Sequence, residues 1–222
     1  MVDLIKVELH CHTSASLDGW PSPQAVIAEA KRKGIQRLAI TDHNSIAAAQ
    51  EAKQLAPGLI IVGEEIKTTI GEILAYFVTN EVPRGLEPME AIRRLKKQGA
   101  VISLSHPFDQ VREHWPDKYL KQVLPHLDAI ETFNSRCFSN HPNQLAGQFA
   151  LKHGLPRLAG SDAHTLMEIG QATIKLEAFT NSNEFRTVLN QAKIDARLSP
   201  FWVHLFSWSR GISRKLIRLL QG

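Results

Sequence analysis

The chain has 222 residues, of which 43% are hydrophobic, and a formal net charge of +4. This length and apolar content suit one large domain with a sizeable core and exclude a chain that is disordered as a whole. No stretch reaches the roughly 20 apolar residues that span a bilayer, and two cysteines are too few for a disulfide framework. We therefore expect a cytoplasmic protein.

Short β-branched runs alternate with stretches of helical periodicity along most of the chain. In chain order they are "LIKVEL", "PSPQAVIAEAKRKG", "RLAIT", "SIAAAQEAKQLA", "LIIVGEEI", "EILAYFV", "LEPMEAIRRLKKQG", "AVISLSH", "DKYLKQVLPHL", "DAIETF", "NQLAGQFALKHG" and "PRLAGSDAH". Strands followed by helices are typical of a parallel sheet. About seven such units favour a closed or nearly closed α/β barrel over an open sheet.

Polar residues that can carry chemistry gather where these apolar strands stop. They are His10, His12, Asp42, His43, Glu64, Glu65, His106, Glu131, Asn134, Asp162 and His164. The C-terminal ends of parallel barrel strands meet at one face, so these residues are expected to converge there. Strand alternation allows only one of the neighbours Glu64 and Glu65 to face the barrel mouth.

Two pairs of these residues have the spacing of metal ligands on a strand. His10 and His12 are separated by one residue, as are Asp162 and His164, so each pair projects to one side. Taken singly, each residue also has a structural interpretation, such as a polar strand terminus or a helix cap. Mixed imidazole and carboxylate ligands suit zinc, manganese or iron. The candidates outnumber the ligands of one tetrahedral ion, so together they predict a centre with more than one divalent ion. Two close cations would activate a water and clamp phosphate oxygens.

The same residues resemble a known family. The motifs "ELHCHTSASLDG", "ITDHNSI", "VGEEIKT", "GEILAYF", "SHPFD", "ETFNSR" and "GSDAHT" follow in the order found in the PHP (polymerase and histidinol phosphatase) domain. Residues 5–180 carry the resemblance, which is closest to the stand-alone predicted metal-dependent phosphoesterases. It implies a distorted (β/α)7 barrel of PHP type over residues 1–197, including a PHP-associated C-terminal portion. It also implies a centre of two or three metal ions that hydrolyses phosphate esters.

The resemblance assigns ligands to three metal positions. The first metal would be held by His10, His12, Asp162 and a bridging Glu65, the second by Glu65 and His106, and the third by Asp18, His43 and His164. A further ligand would be Glu131 or Asn134, and the sequence does not choose between them. Many relatives have a histidine soon after the bridging glutamate, where this chain has Glu72. Either Glu72 binds a hard cation in its place, or one metal position is weakened.

Three residues are candidates for catalysis. Arg136 could bind phosphate oxygens, with a surface salt bridge as the alternative. Asp162 and His164 are candidates for acid–base work. We expect a hydrolase that acts on a small phosphomonoester, a nucleotide or a short oligonucleotide. The alternatives are a metal-dependent amidohydrolase and a non-catalytic metal-binding scaffold.

Residues 198–222 differ from the body. They contain four cationic residues and no acidic residue, and these four charges account for the whole net charge of +4. The body of the chain is therefore neutral, which favours a small substrate over long nucleic acid. Arg210, Arg214 and Arg218 recur every four residues and predict a basic amphipathic tail helix. The tail helix has four alternative roles, which are packing on the barrel, self-association, peripheral binding to an anionic membrane and nucleic-acid binding.

Overall fold

The structure is a computed structural model that describes residues 3–112, 114–207 and 209–210. The strands found in this part of the chain are β1 (Leu4–Glu8), β2 (Arg37–Ile40), β3 (Ile60–Lys67), β4 (Glu72–Tyr76), β5 (Val101–Leu104), β6 (Ala129–Asn134), β7 (Arg157–Gly160), β8 (Ala172–Glu177) and β9 (Lys193–Ala196). The α-helices are α1 (Pro23–Arg32), α2 (Ala47–Leu55), α3 (Pro88–Lys97), α4 (Asp117–Val123), α5 (His141–His153) and α6 (Ser182–Val188).

All these strands form one sheet, in the order β7-β6-β5-β4-β3-β2-β1-β8-β9. The β1-β2-β3 and β5-β6-β7 neighbours are parallel, whereas β4 is antiparallel to both β3 and β5. Only residues 68–71 separate β3 from β4, and so short a connection permits a hairpin but no helical crossover. The predicted α/β barrel is confirmed, and its sheet is mixed instead of wholly parallel.

The segments that follow β1 and β7 approach each other at the mouth of the barrel. The backbone N–H of His12 donates to the carbonyl of Ala163 at 2.8 Å, and the N–H of Ala163 donates to the carbonyl of His10 at 3.2 Å. Lower down, β8 pairs antiparallel with β1 and β9 pairs with β8. The segments after the first and seventh strands are therefore neighbours, as a nearly closed barrel requires.

The apolar side chains divide into an interior and an exterior core. Val7, Leu74 and Tyr76 belong to a buried cluster inside the sheet. Outside it, α1 and α2 pack on β2 and β3, and α3, α4 and α5 pack on β4, β5 and β6. Because apolar packing fixes the strands from both sides, the polar strand ends are held on a rigid support.

No helix in the described part of the chain is long and apolar enough to cross a membrane. Within the predicted tail, residues 203–207 and 209–210 are helical. The remainder of the tail, residues 211–222 with Arg214 and Arg218, lies outside the described residues.

Candidate metal centre

The barrel mouth brings together every site residue predicted from the sequence. They are His10, His12, Asp18, His43, Glu65, Glu72, His106, Glu131, Asn134, Arg136, Asp162 and His164, and each is buried or half-buried. Many of them line a cavity of about 990 Å³. Residues from both halves of the chain therefore meet at one end of the sheet.

Four donor atoms form a compact first group at the floor of the site. Nε2 of His10 lies 3.1 Å from Nε2 of His12, 3.4 Å from Oε2 of Glu65 and 3.6 Å from Oδ1 of Asp162. Nε2 of His12 lies 3.3 Å from each of the same two oxygens. A tetrahedral ion with ligands at 2.0–2.1 Å separates its donor atoms by about 3.3–3.4 Å. The group thus has the dimensions of a tetrahedral metal site.

Hydrogen bonds orient both imidazoles with Nε2 toward this group. Nδ1 of His10 donates to Oε1 of Glu131 at 2.9 Å. The Ser16 hydroxyl donates its proton to Asp42 at 2.6 Å, so it accepts from Nδ1 of His12 at 3.1 Å. With both Nδ1 atoms bonded outward, two Nε2 atoms face each other 3.1 Å apart. A cation between them is the natural partner, and hydrogen bonding of the opposite nitrogen is typical of metal-binding histidines.

Charge in the first group also calls for a cation. Burial lowers the pKa of His10, but Asp162, Glu65 and Glu131 outweigh burial and raise that pKa well above its ordinary value. Burial raises the pKa of Asp162, and His10 and Arg112 are among the groups that hold it well below its ordinary value instead. The carboxylates therefore stay ionised and demand positive charge, which either a proton or a metal ion supplies.

A second group shares Glu65 with the first. Nε2 of His106 lies 3.4 Å from Oε1 of Glu65 and 3.4 Å from Oε2 of Glu72. Glu72 reaches the mouth because β4 runs antiparallel, which places its first residue beside the last residues of β3. The Ser105 hydroxyl donates to Oε1 of Glu65 at 2.5 Å. Glu72 thus occupies the cluster in which the family resemblance implied a histidine.

A third group lies on the opposite side of His12. Nε2 of His164 is 3.2 Å from Oδ2 of Asp18, and Nε2 of His43 is 3.9 Å from Oδ1 of Asp18. Nδ1 of His164 lies 2.8 Å from the carbonyl of Asp162, so it donates there and leaves Nε2 without a proton. Asp18 Oδ1 is buried without a hydrogen-bond partner among the described residues. An unprotonated nitrogen and an orphaned carboxylate oxygen fit a third cation.

The backbone is strained where it delivers two of these side chains. His106 has a φ of 26° and Asp162 a φ of 54°, both in the left-handed region that non-glycine residues rarely adopt. Gly160 at the end of β7 leaves the space into which His10 fits, because a Cβ there would lie 2.3 Å from Cβ of His10. Local strain and close packing therefore serve the placement of the donor atoms.

Glu131 and Asn134, the candidates that the sequence left open, lie behind the donor groups. Oε2 of Glu131 accepts from the backbone N–H of His106 at 2.8 Å and from Nδ2 of Asn134 at 3.1 Å. Nδ2 of Asn134 also donates to Oδ2 of Asp162 at 3.2 Å. Their polar atoms are occupied in holding His10, His106 and Asp162, so this geometry makes both of them positioning residues.

Sequence reasoning missed Arg112. Its guanidinium donates to Oδ2 of Asp162, to Oδ1 of Asn134 at 3.2 Å and, through Nε, to Oδ2 of Asp109 at 2.9 Å. The available signal was a cation six residues after His106, in the loop that follows β5. A loop side chain of this length has many reachable positions, so the sequence alone does not place it.

The second predicted arginine, Arg136, also lines the cavity. Its Nη2 donates to the Ser207 hydroxyl at 2.5 Å, and its Nε lies 3.6 Å from Oε1 of Glu168. Its Nη1 is buried and has no hydrogen-bond partner among the described residues. Arg136 therefore retains donor capacity, whereas all three nitrogens of the Arg112 guanidinium have acceptors.

The sequence of this chain matches two family models and several known proteins. The PHP domain model matches residues 8–122, and a model described as PHP-associated matches residues 140–193. An uncharacterized protein of Methanocaldococcus jannaschii is 37% identical over 175 residues, which cover 77% of this chain and 70% of the relative. A Caldicellulosiruptor saccharolyticus protein named "Probable phosphatase" is 22% identical over 202 residues, covering 77% of this chain and 84% of the relative.

A solved structure has the same fold. It is a two-domain protein from Bacteroides vulgatus that contains a predicted PHP-like metal-dependent phosphoesterase. The TM-score is 0.75 at 18% identity, with 94% of this chain and 70% of the other covered. The match of the family model to more than half of the chain, together with the Methanocaldococcus relative, shows that this chain belongs to the PHP domain family.

Proposed function

We propose that this protein is a metal-dependent phosphoesterase that hydrolyses a small phosphomonoester or a nucleotide. The observation that carries the proposal is the position of Arg136, which lines the same cavity as residues of the three donor groups and whose buried Nη1 has no hydrogen-bond partner among the described residues. Both are favourable partners of a phosphoryl group, since divalent cations bind its oxygens and a guanidinium donates hydrogen bonds to them. The names of the Caldicellulosiruptor and Bacteroides relatives support this reaction class.

We further propose two or three divalent ions, of manganese, zinc or iron, at the three donor groups. Such ions supply Lewis acidity toward the ester and a water of lowered pKa. His10, His12 and Asp162 would hold the first position and Glu72 and His106 the second, and Glu65 would contribute an oxygen to each. The third position belongs to Asp18, His43 and His164.

Arg136 binds the phosphoryl group in this proposal. Ser207 accepts from its Nη2 and Oε1 of Glu168 lies at ion-pair distance from its Nε, so the guanidinium is restrained at two nitrogens while Nη1 stays without a partner among the described residues. A guanidinium fixed in this way donates to a phosphate oxygen without a large loss of side-chain entropy.

Asp162 and His164 act as ligands in this proposal instead of transferring protons. Oδ1 of Asp162 faces the two histidines and Oδ2 accepts from Arg112 and Asn134, so no oxygen is left to take a proton. Burial, and then Arg136, lower the pKa of His164 to about 4. It is therefore neutral at pH 7 and cannot donate a proton from Nε2.

Hydrolysis of p-nitrophenyl phosphate and bis(p-nitrophenyl) phosphate tests the proposal. The purified protein is assayed after chelation and again after addition of Mn²⁺, Zn²⁺ or Fe²⁺, alongside H10A and the matched control H141A. His141 is exposed at the start of α5 and does not line the cavity. We expect metal-dependent turnover that H10A loses together with bound metal, while H141A keeps both. Stoichiometric metal without cleavage of either ester would overturn the phosphoesterase proposal and favour an amidohydrolase or a scaffold.

A further inference from the structure

One part of the cavity wall is apolar and does not belong to the donor groups. Phe138, Phe201 and Leu205 line the cavity together with His204. The exposed fractions are 54% for Phe138, 69% for Phe201 and 54% for Leu205, which are high for such large apolar side chains. We call these four residues the apolar wall. Clustered apolar side chains at the mouth of a polar site are typical of ligand contact.

Residues 199–207, which carry most of the apolar wall, are hydrogen-bonded to other segments at the barrel mouth. The N–H of Ser199 donates to the carbonyl of Ser135 at 2.7 Å, and the indole N–H of Trp20 donates to the carbonyl of Phe206 at 3.1 Å. The next residue after Phe206, Ser207, accepts from Nη2 of Arg136 at 2.5 Å. The apolar wall is thus a built part of the cavity, attached to the arginine proposed to bind phosphate.

The apolar wall already contains one stacked pair of planar rings. The rings of Phe138 and His204 lie 4.2 Å apart between centroids with an interplanar angle of 17°. Burial, and then the positive charges of Arg136 and Arg112, lower the pKa of His204 to about 4. Its imidazole is therefore uncharged at neutral pH, and the wall is an uncharged surface suited to planar groups.

We infer that the apolar wall binds an aromatic ring in the alcohol part of the phosphate ester, while Arg136 and the metal centre hold its phosphoryl group. This inference rests on the proposed phosphoesterase function and specifies its substrate class. A phosphate-binding arginine and an apolar wall share one cavity. A phosphate bound at Arg136 would place the alcohol part of its ester beside the segment of Ser207, which also carries Phe201 and Leu205. Esters of glycerol or of a simple sugar would leave Phe138 and Phe201 without an apolar partner.

Direct binding of two unreactive phosphonates tests the inference without relying on turnover. Phenylphosphonate and methylphosphonate carry the same anionic group, and calorimetry measures their affinities for the metal-loaded full chain. We expect the wild-type protein to bind phenylphosphonate about tenfold more tightly, as an aromatic contact of this kind provides. F138A and F201A should lose most of this preference, with affinity for methylphosphonate within about twofold of wild type.

The matched control is F206A. Phe206 is 47% exposed and lies in the same segment, but it lines a neighbouring groove and not this cavity. It should keep the preference for the phenyl compound. Equal affinity for the two phosphonates in the wild-type protein, or an unchanged preference in both F138A and F201A, would overturn the inference while ester hydrolysis remained intact. Failure to cleave any phosphate ester would instead overturn the proposed function.

Discussion

Oε1 of Glu131 lies 2.9 Å from Nδ1 of His10, on the edge of the imidazole that faces away from the donor atoms. The other oxygen of the same carboxylate accepts from the backbone N–H of His106 at 2.8 Å. One buried carboxylate therefore positions residues of two donor groups. It fixes the orientation of His10 and also the strained backbone that presents His106.

Replacing Glu131 by glutamine should weaken metal binding without unfolding the protein. A carboxamide has one acceptor oxygen, so either His10 or the N–H of His106 loses its acceptor. Loss of such an outer hydrogen bond typically lowers metal affinity by about 10- to 100-fold. Titration against a fluorescent chelator measures the change, with E90Q on the surface of α3 as the control. Unchanged affinity in E131Q would show that Glu131 does not orient His10.

Glu72 should determine which ion the second donor group prefers. Its carboxylate stands 3.4 Å from Nε2 of His106, where a second histidine would make the group softer. We expect E72H to shift the preference at this position from Mn²⁺ toward Zn²⁺. Elemental analysis after reconstitution with an equimolar mixture of the two ions measures the shift. An unchanged ratio of bound ions would indicate that Glu72 is not a ligand.

Substitutions of the two cavity arginines, Arg136 and Arg112, should change different kinetic constants. R136M removes the donor proposed for phosphate and should raise KM by about 10- to 100-fold, the equivalent of one charged hydrogen bond. R112M removes the partner of Oδ2 of Asp162 and should reduce kcat and bound metal while changing KM less. Steady-state kinetics and metal analysis of both variants separate the effects. The opposite pattern would exchange the two assignments.

Strand geometry was sufficient to predict that two pairs of donor residues converge at the barrel mouth, whereas their division into three groups came from the family resemblance. His10 and His12 must share a side of a strand, and the ends of parallel strands must meet, so convergence with Asp162 follows without knowledge of any loop. The reversed direction of β4 was not predicted, although the four residues 68–71 between β3 and β4 leave no room for a crossover. Neither conclusion depends on details of side-chain packing.

Other features could not be predicted because they depend on loops and long side chains. Arg112 reaches Asp162 from a loop, and Ser207 meets Arg136 through a segment 71 residues away in sequence. Whether Glu131 or Asn134 is a metal ligand depends on the hydrogen bonds that their side chains make, and strand periodicity does not specify these bonds. The position of Phe201 at the cavity is likewise set by the fastening of its segment, which only the structure shows.

The final prediction concerns stability and the buried residue Glu64, which precedes Glu65 in β3. Its side chain points away from the donor groups and accepts from the N–H of Val82 at 3.0 Å. Burial raises its pKa from 4.5 to about 8. The folded protein therefore holds a proton that the unfolded chain releases, and the stability gained from Glu64 declines as pH rises from about 4.5 to about 8.

Glutamine imitates the protonated acid, so E64Q should remove this decline. Each unit of pKa difference is worth about 1.4 kcal/mol, so we expect E64Q to exceed wild type by more than about 1 kcal/mol at pH 8 and to match it near pH 4.5. In a chain of this size, that gain raises Tm by about 2–4 °C. Thermal unfolding at pH 4.5, 6.5 and 8 checks the prediction, with E51Q on the exposed side of α2 as the control. If E64Q and wild type have the same Tm at pH 8, Glu64 is ionised in the folded protein.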